Sequence, residues 1–140
     1  LGLPKVQHQN ALSRITAALT NTLKSDRGRW LLGPRDEGQS ELPVTGMLDG
    51  KIAHRVIDRT FVADGIRWIV DFKTGLHSGD VNAFLDEEQR RYSVQLHDYA
   101  QLMAALDDRP IQVGLYFPLM DGWRTWAPGG APHKPLAGRL

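Results

Sequence analysis

The chain contains no cysteine. That excludes disulfides, thiolate zinc sites, iron–sulfur clusters and cysteine nucleophiles together, and it accords with a reducing cytoplasm, the expected location. No run of about 18 apolar residues is present for a membrane span, and no basic-then-apolar leader opens the chain, so no membrane partner is expected. Neither sign of charge dominates: the formal net charge is +1. This balance leaves no global electrostatic footprint of a nucleic-acid binder, although it does not exclude a local basic groove. A phosphate-binding GxxxxGK[ST] loop is missing as well, which places any ATPase outside these residues. The first residue is Leu1, not methionine, and the chain is expected to be a piece of a longer protein.

What is present fits one globular domain. A chain of 140 residues is long enough to bury roughly 70% of its unfolded surface. Its 41% hydrophobic and 24% charged content is ordinary for such a domain. From Gln9 to Lys24, Leu12, Ile15, Leu19 and Leu23 recur at helical spacing and predict an amphipathic helix with one buried stripe. Gly28 and the stretch around Gly33 to Ser40 read as a break and a loop. Three strands are predicted at Glu41 to Leu48, Lys51 to Val62 and Ile66 to Phe72. They are joined by Asp49-Gly50 and Asp64-Gly65, the strongest short-range hairpin signal.

After a loop from Thr74 to Asp80, a long helix is predicted over Leu85 to Leu106, with Tyr92, Leu96, Tyr99, Met103 and Leu106 forming a seam for packing on a sheet. "IQVGLYF" reads as a further strand and "GWRTWA" as a short edge strand. Trp30 and Trp68 read as core, and Trp123 and Trp126 as half exposed on a final hairpin. The fold class is therefore α/β with a mixed sheet. One domain is expected over residues 1–127, followed by a mobile Gly/Pro-rich tail over 128–140.

The segment "HRVIDRTFVADGIRWIVDFKTG" poses the chemical question. Period-two alternation puts Asp71 and Lys73 on one side of a strand, with Phe72 on the other. The antiparallel hairpin can bring Asp58 beside Asp71. Two adjacent carboxylates repel unless something positive lies between them, and a divalent cation and Lys73 are the candidates. Mg²⁺ prefers oxygen ligands and keeps several waters, so Asp58, Asp71, the Phe72 backbone carbonyl and water form one possible set, with Mn²⁺ as the substitute. The bland alternative is a solvated Asp71–Lys73 ion pair worth at most about 1 kcal/mol.

"RVIDR", "WIVDFKTG" and a helix carrying "RRYSVQLHDYAQLM" together resemble the RecB/AddA-type nuclease domain, a branch of the PD-(D/E)xK superfamily with a restriction-endonuclease-like fold. The resemblance runs from about Arg29 to Phe117. It implies that Asp58 and Asp71 are the metal-binding aspartates, that Lys73 is the catalytic lysine, and that Gln95 and Tyr99 form the family's Gln-x-x-x-Tyr motif at the active site or DNA backbone. The implied activity is Mg²⁺-dependent DNA hydrolysis, more often as an exonuclease. The implied substrate is a single strand or duplex end, delivered by a helicase motor in the same chain or complex during double-strand break repair and recombination.

Around this set, Glu41 resembles an acidic position of the family, and a surface glutamate is the alternative. His54 shares strand parity with Asp58 and reads as a satisfied, partly buried histidine rather than a ligand. Arg55, Arg59, Arg67, Arg90 and Arg91 are candidates for a phosphate path. The family's earlier helix, bearing glycine, histidine and a Leu-Glu pair, has no counterpart here. His8 is the sole early histidine and "KVQHQNALSRI" lacks the pattern. The matching helix is expected upstream, leaving the isolated chain a weak metal binder that cuts slowly or not at all. The rival expectations are a non-catalytic DNA-binding or docking module with a retired nuclease fold, and a restriction-like or repair endonuclease acting alone.

Overall fold

The computed structural model describes residues 5–128, so all of the Gly/Pro-rich tail except Pro128 lies outside the described residues. The elements are α1 (Lys5–Lys24), α2 (Asp26–Leu32), β1 (Asp36–Leu48), β2 (Lys51–Ala63), β3 (Ile66–Phe72), α3 (Val81–Ala104), β4 (Ile111–Phe117) and β5 (Gly122–Trp126). The five strands form one sheet in the order β1-β2-β3-β4-β5. β1–β2, β2–β3 and β4–β5 are antiparallel, and β3–β4 is parallel through the α3 crossover. The expected mixed α/β sheet is thus present. Both Asp-Gly pairs turn their hairpins with positive φ at each residue, 50° and 77° at Asp49-Gly50 and 54° and 76° at Asp64-Gly65. That conformation matches the right-handed strand twist.

One face of the sheet carries α3. Leu96, Tyr99, Leu102 and Met103 pack there on Val44, Ile57, Ile69, Val113 and Leu115. The helix starts earlier than its apolar pattern because Asp80 caps it, accepting from the Ala83 amide at 3.0 Å. It ends before Leu106, which is exposed, so the seam stops at Met103.

The opposite face carries a helix the sequence reading did not contain. Ser25 caps α2, its Oγ accepting from the Gly28 amide, and the helix drives Leu31 and Trp30 against Phe61, Val70 and Tyr116. Trp30 meets Phe61 and Trp68 edge-on, with ring centroids 5.1 Å apart in each pair. The buried Arg59 guanidinium donates to the Leu31 and Gly33 carbonyls, satisfying the end of α2 and tying it to the sheet. A Cβ on Gly28 would lie 2.1 Å from the Thr22 carbonyl oxygen, so only glycine lets α2 fold back on α1.

Because α2 takes this face, the stripe of α1 is not buried. Leu12, Ile15, Leu19 and Leu23 are 50–68% exposed, which overturns the expectation of a buried stripe. α1 is held instead by polar links: Arg14 to the Thr74 carbonyl at 3.0 Å and Asn21 to the Leu119 carbonyl at 3.4 Å. β1 likewise begins at Asp36, inside the stretch read as loop, through an irregular register between Asp36 and Gln39. There Glu37 adopts φ 51° and receives Arg67 and Arg109.

Arg67 and Asp107, with side chains 8% and 6% exposed, form the centre of that ion network at 2.7 Å. The Arg109 amide, with the Arg67 and Arg109 guanidinium groups, holds the Asp107 carboxyl down at about 2. The network closes the end of the sheet at which β3 begins. Among the described residues no helix is long and apolar enough to cross a membrane.

Candidate active site

At the other end of β3 the sheet parts. The β2–β3 ladder runs from Ala63↔Ile66 to Arg59↔Val70 and stops. Beyond it, the Asp58 carboxylate replaces the ladder, its Oδ2 accepting from the Phe72 amide at 2.8 Å. β3 continues on its β4 side, where the Lys73 amide donates to the Tyr116 carbonyl at 2.9 Å. The alternation of β2 also changes here, because Ile57 packs in the α3-side core while Arg59 and Phe61 face α2. Glu41, in the register opposite Asp58 between Ser40↔Arg59 and Leu42↔Ile57, carries the accompanying φ of 52°. A cleft therefore opens where β2 and β3 separate, at the carboxyl end of a parallel strand, where open α/β sheets place their ligand sites.

Asp71 lies in that cleft at 3% exposure. Burial, with the Asp58 carboxylate beside it, pushes its carboxyl up from 3.8 to about 6, against the opposing pull of Lys73. The Lys73 ammonium stands 2.7 Å from Asp71 Oδ2. Among the described residues the ammonium is the one cationic partner of this buried oxygen, although the contact is not aligned as a hydrogen bond. A buried carboxylate next to a second carboxylate has capacity for a further cation.

From Lys73 the polar chain runs onto α3. Lys73 Nζ donates to Gln95 Oε1 at 3.4 Å, and Gln95 Nε2 donates to the Tyr99 hydroxyl at 2.7 Å. Tyr99 is 5% exposed, and burial together with Asp71 raises its phenol. All five residues singled out as catalytic, Asp58, Asp71, Lys73, Gln95 and Tyr99, thus meet in one place.

A sixth residue belongs with them. The Tyr92 ring lies under Lys73, its centroid 3.8 Å from Nζ, so the ammonium sits between an aromatic face and a carboxylate. Sequence reasoning placed Tyr92 only in the packing seam. The available signal was its position three residues before Gln95 and seven before Tyr99, on the same helix face.

The other candidates separate. His54 is satisfied by a 2.8 Å hydrogen bond with Thr45 rather than reaching Asp58, but it is exposed and not partly buried as expected. Glu41 is exposed, and among the described residues no group of three His, Cys, Asp or Glu side chains is assembled to hold a metal. Phe72 contributes its amide, to Asp58. Arg59 and Arg67 are buried in structural roles, while Arg90 and Arg91 are exposed and pair with Glu87 and Glu88. The five-arginine path is therefore not assembled. A site of two carboxylates suits a hard cation that keeps its waters, such as Mg²⁺, better than Zn²⁺, which takes three or four protein ligands. No protein-family model matches this chain, and no curated protein matches it.

Proposed function

We propose that this chain is a metal-dependent nuclease domain of restriction-endonuclease-like fold, hydrolysing phosphodiester bonds of DNA at Asp58, Asp71 and Lys73. The observation that carries the reading is the Asp71 carboxylate. It is buried and raised to about 6, and it is flanked by the Asp58 carboxylate and the Lys73 ammonium rather than replaced by an apolar residue. Such an arrangement costs folding stability and is expected where chemistry requires it.

Asp58 and Asp71 would hold Mg²⁺, or Mn²⁺ in its place, and the cation supplies charge neutralisation and activation of water at the phosphorus. Lys73 adds a donor aimed at the charge that builds on the phosphoryl oxygens. Gln95 orients Lys73 and is braced by Tyr99; both present polar atoms able to meet phosphate. A helicase motor, in the same chain or complex, would deliver the strand in double-strand break processing, as the resemblance to the RecB/AddA type implies.

One observation favours a second reading, a non-catalytic DNA-binding or docking module of retired nuclease fold. Asp58 is already engaged by the Phe72 amide, and no third acidic or histidine ligand joins the pair among the described residues. Calorimetric titration with Mn²⁺ separates the two. A nuclease site gives saturable binding that Asp58→Ala abolishes, whereas the docking module gives no saturation in either protein.

A further inference from the structure

Arg59 and Arg67 are buried in structural roles and Arg90 and Arg91 stand exposed on α3 beside Glu87 and Glu88, whereas Arg55, of the same sequence-predicted set, lines a groove. It projects from β2 into this groove of about 670 Å³ between the β1–β2 hairpin and α3. The walls of this groove are amphiphilic. Leu48, Ile52 and Ala53 provide apolar surface, Lys51 and Arg55 provide positive charge beside His54, and two carboxylates, Asp49 at the hairpin turn and Asp98 on α3, face them.

The groove shares both of its walls, β2 and α3, with the site. Arg55 is three residues before Asp58, about 10 Å along a strand, and Asp98 is the neighbour of Tyr99. The Arg55–Asp98 contact spans the groove at 3.6 Å, with side chains 39% and 26% exposed. Ion pairs this long and this wet contribute little and yield readily to a better partner. A phosphate is that partner for a guanidinium, because its oxygens match the planar fork in two-pronged fashion. The volume is on the scale of one or two nucleotides, and the apolar wall is suited to a sugar or to the base face that an unpaired strand exposes.

We propose that this groove is a binding subsite for a single nucleic-acid strand. Arg55 takes the backbone phosphate one or two nucleotides from Asp58 and Asp71, Lys51, about 13 Å further back along β2, takes a phosphate further along the strand, and Asp98 is the counter-ion on which Arg55 rests when no strand is bound. The proposal rests on the nuclease reading for its substrate. It adds the strand's path and its single-stranded form.

The test is fluorescence anisotropy with a labelled oligothymidylate and a duplex of equal length, with Ca²⁺ in place of Mg²⁺, across a series of salt concentrations. Arg55→Gln should weaken single-strand binding about tenfold and lower the salt slope by about 0.7, one phosphate's share on a single strand. Asp98→Asn should tighten binding about threefold, since it removes the competitor for Arg55. Arg55→Lys should fall between native and Arg55→Gln.

Binding unchanged in Arg55→Gln, or weakened in Asp98→Asn as much as in Arg55→Gln, overturns the subsite. Equal losses on duplex and single strand overturn the single-strand assignment. Cleavage in Mg²⁺ keeps the two readings apart. The anisotropy pattern without cutting leaves the groove and removes the nuclease, whereas cutting with an unchanged KM in Arg55→Gln leaves the nuclease and removes the groove.

Discussion

Replacing Asp71 by asparagine should make the metal-free protein more stable at neutral pH while destroying the site. The carboxyl is held at about 6 in the folded protein against an ordinary 3.8, a difference of about 3 kcal/mol once the group is ionised in both states. The sign follows from proton binding. The folded state holds this proton more tightly than the unfolded state, so the associated stability is complete below pH 3.8. It is lost as pH rises through about 6 and stays constant above that.

Asparagine preserves the shape and removes the titration, and the attraction of Lys73 is already contained in the position of the carboxyl. The expectation at pH 7.5 in chelator is therefore a variant about 3 kcal/mol more stable than native, a midpoint shift of about 1.5 M in urea. Urea unfolding of both proteins from pH 4 to 7.5 measures it, and the gap should open between pH 4 and 6.5. A variant less stable than native at pH 7.5, or a gap independent of pH, would refute the argument that burial of an ionised Asp71 is a cost borne for function.

The remaining expectations concern other parts of the chain. Tyr92→Leu should lower kcat for DNA cleavage about fivefold through loss of roughly 1 kcal/mol of cation–π contact to Lys73, with Tyr92→Phe close to native; initial rates at saturating Mg²⁺ decide this, and equal losses in both variants would exclude the ring face as the cause. Asp107→Asn should destabilise by about 2 kcal/mol at pH 7, because the buried Arg67 then keeps only the half-exposed Glu37 as its anion. Asp107 is held at about 2 in the fold, so this difference should fade as pH drops from 4 towards 2 in urea unfolding. The paired substitution Ile15→Ser with Leu19→Ser should change stability by less than about 0.5 kcal/mol, as expected for exposed positions; a loss above about 2 kcal/mol would place the stripe inside the core.

The sheet was legible because its signals are local and strong. Two Asp-Gly turns demand positive φ, and the strands between them are rich in β-branched and aromatic residues, so β3 emerges with the predicted bounds Ile66–Phe72. The seam of α3 was legible for the same reason, apart from its ends, which are set by the Asp80 cap rather than by apolar periodicity. α2 was missed because it is 7 residues long with a glycine inside. Its markers, Ser25 followed by Asp26, were outweighed by Gly28 and Gly33.

The burial of the α1 stripe was misread for a tertiary reason. Periodicity shows that a face is apolar, but which element wins the sheet is settled by packing, and here Leu31 and Trp30 of α2 win it. The site was legible as a set of residues: hairpin register sets Asp58 beside Asp71 and strand alternation adds Lys73, while Gln95 and Tyr99 were joined to them by the family resemblance. What sequence did not reveal is that β2 and β3 part at Asp58, which needs the Phe72 amide to find a side-chain acceptor. Nor did it separate the arginines, because Arg55 and Arg59 look alike in sequence and differ only in which side of the sheet they meet.

The central claim is that Asp58, Asp71 and Lys73 perform metal-assisted phosphodiester hydrolysis. Cleavage of labelled single-stranded and duplex DNA by the full natural protein, native and Lys73→Ala, in Mg²⁺, Mn²⁺ or chelator, tests it most directly. The account predicts cutting that requires the metal and falls by at least about 100-fold in Lys73→Ala. Cutting that persists undiminished in Lys73→Ala, or no cutting by the native protein with either metal, would contradict it.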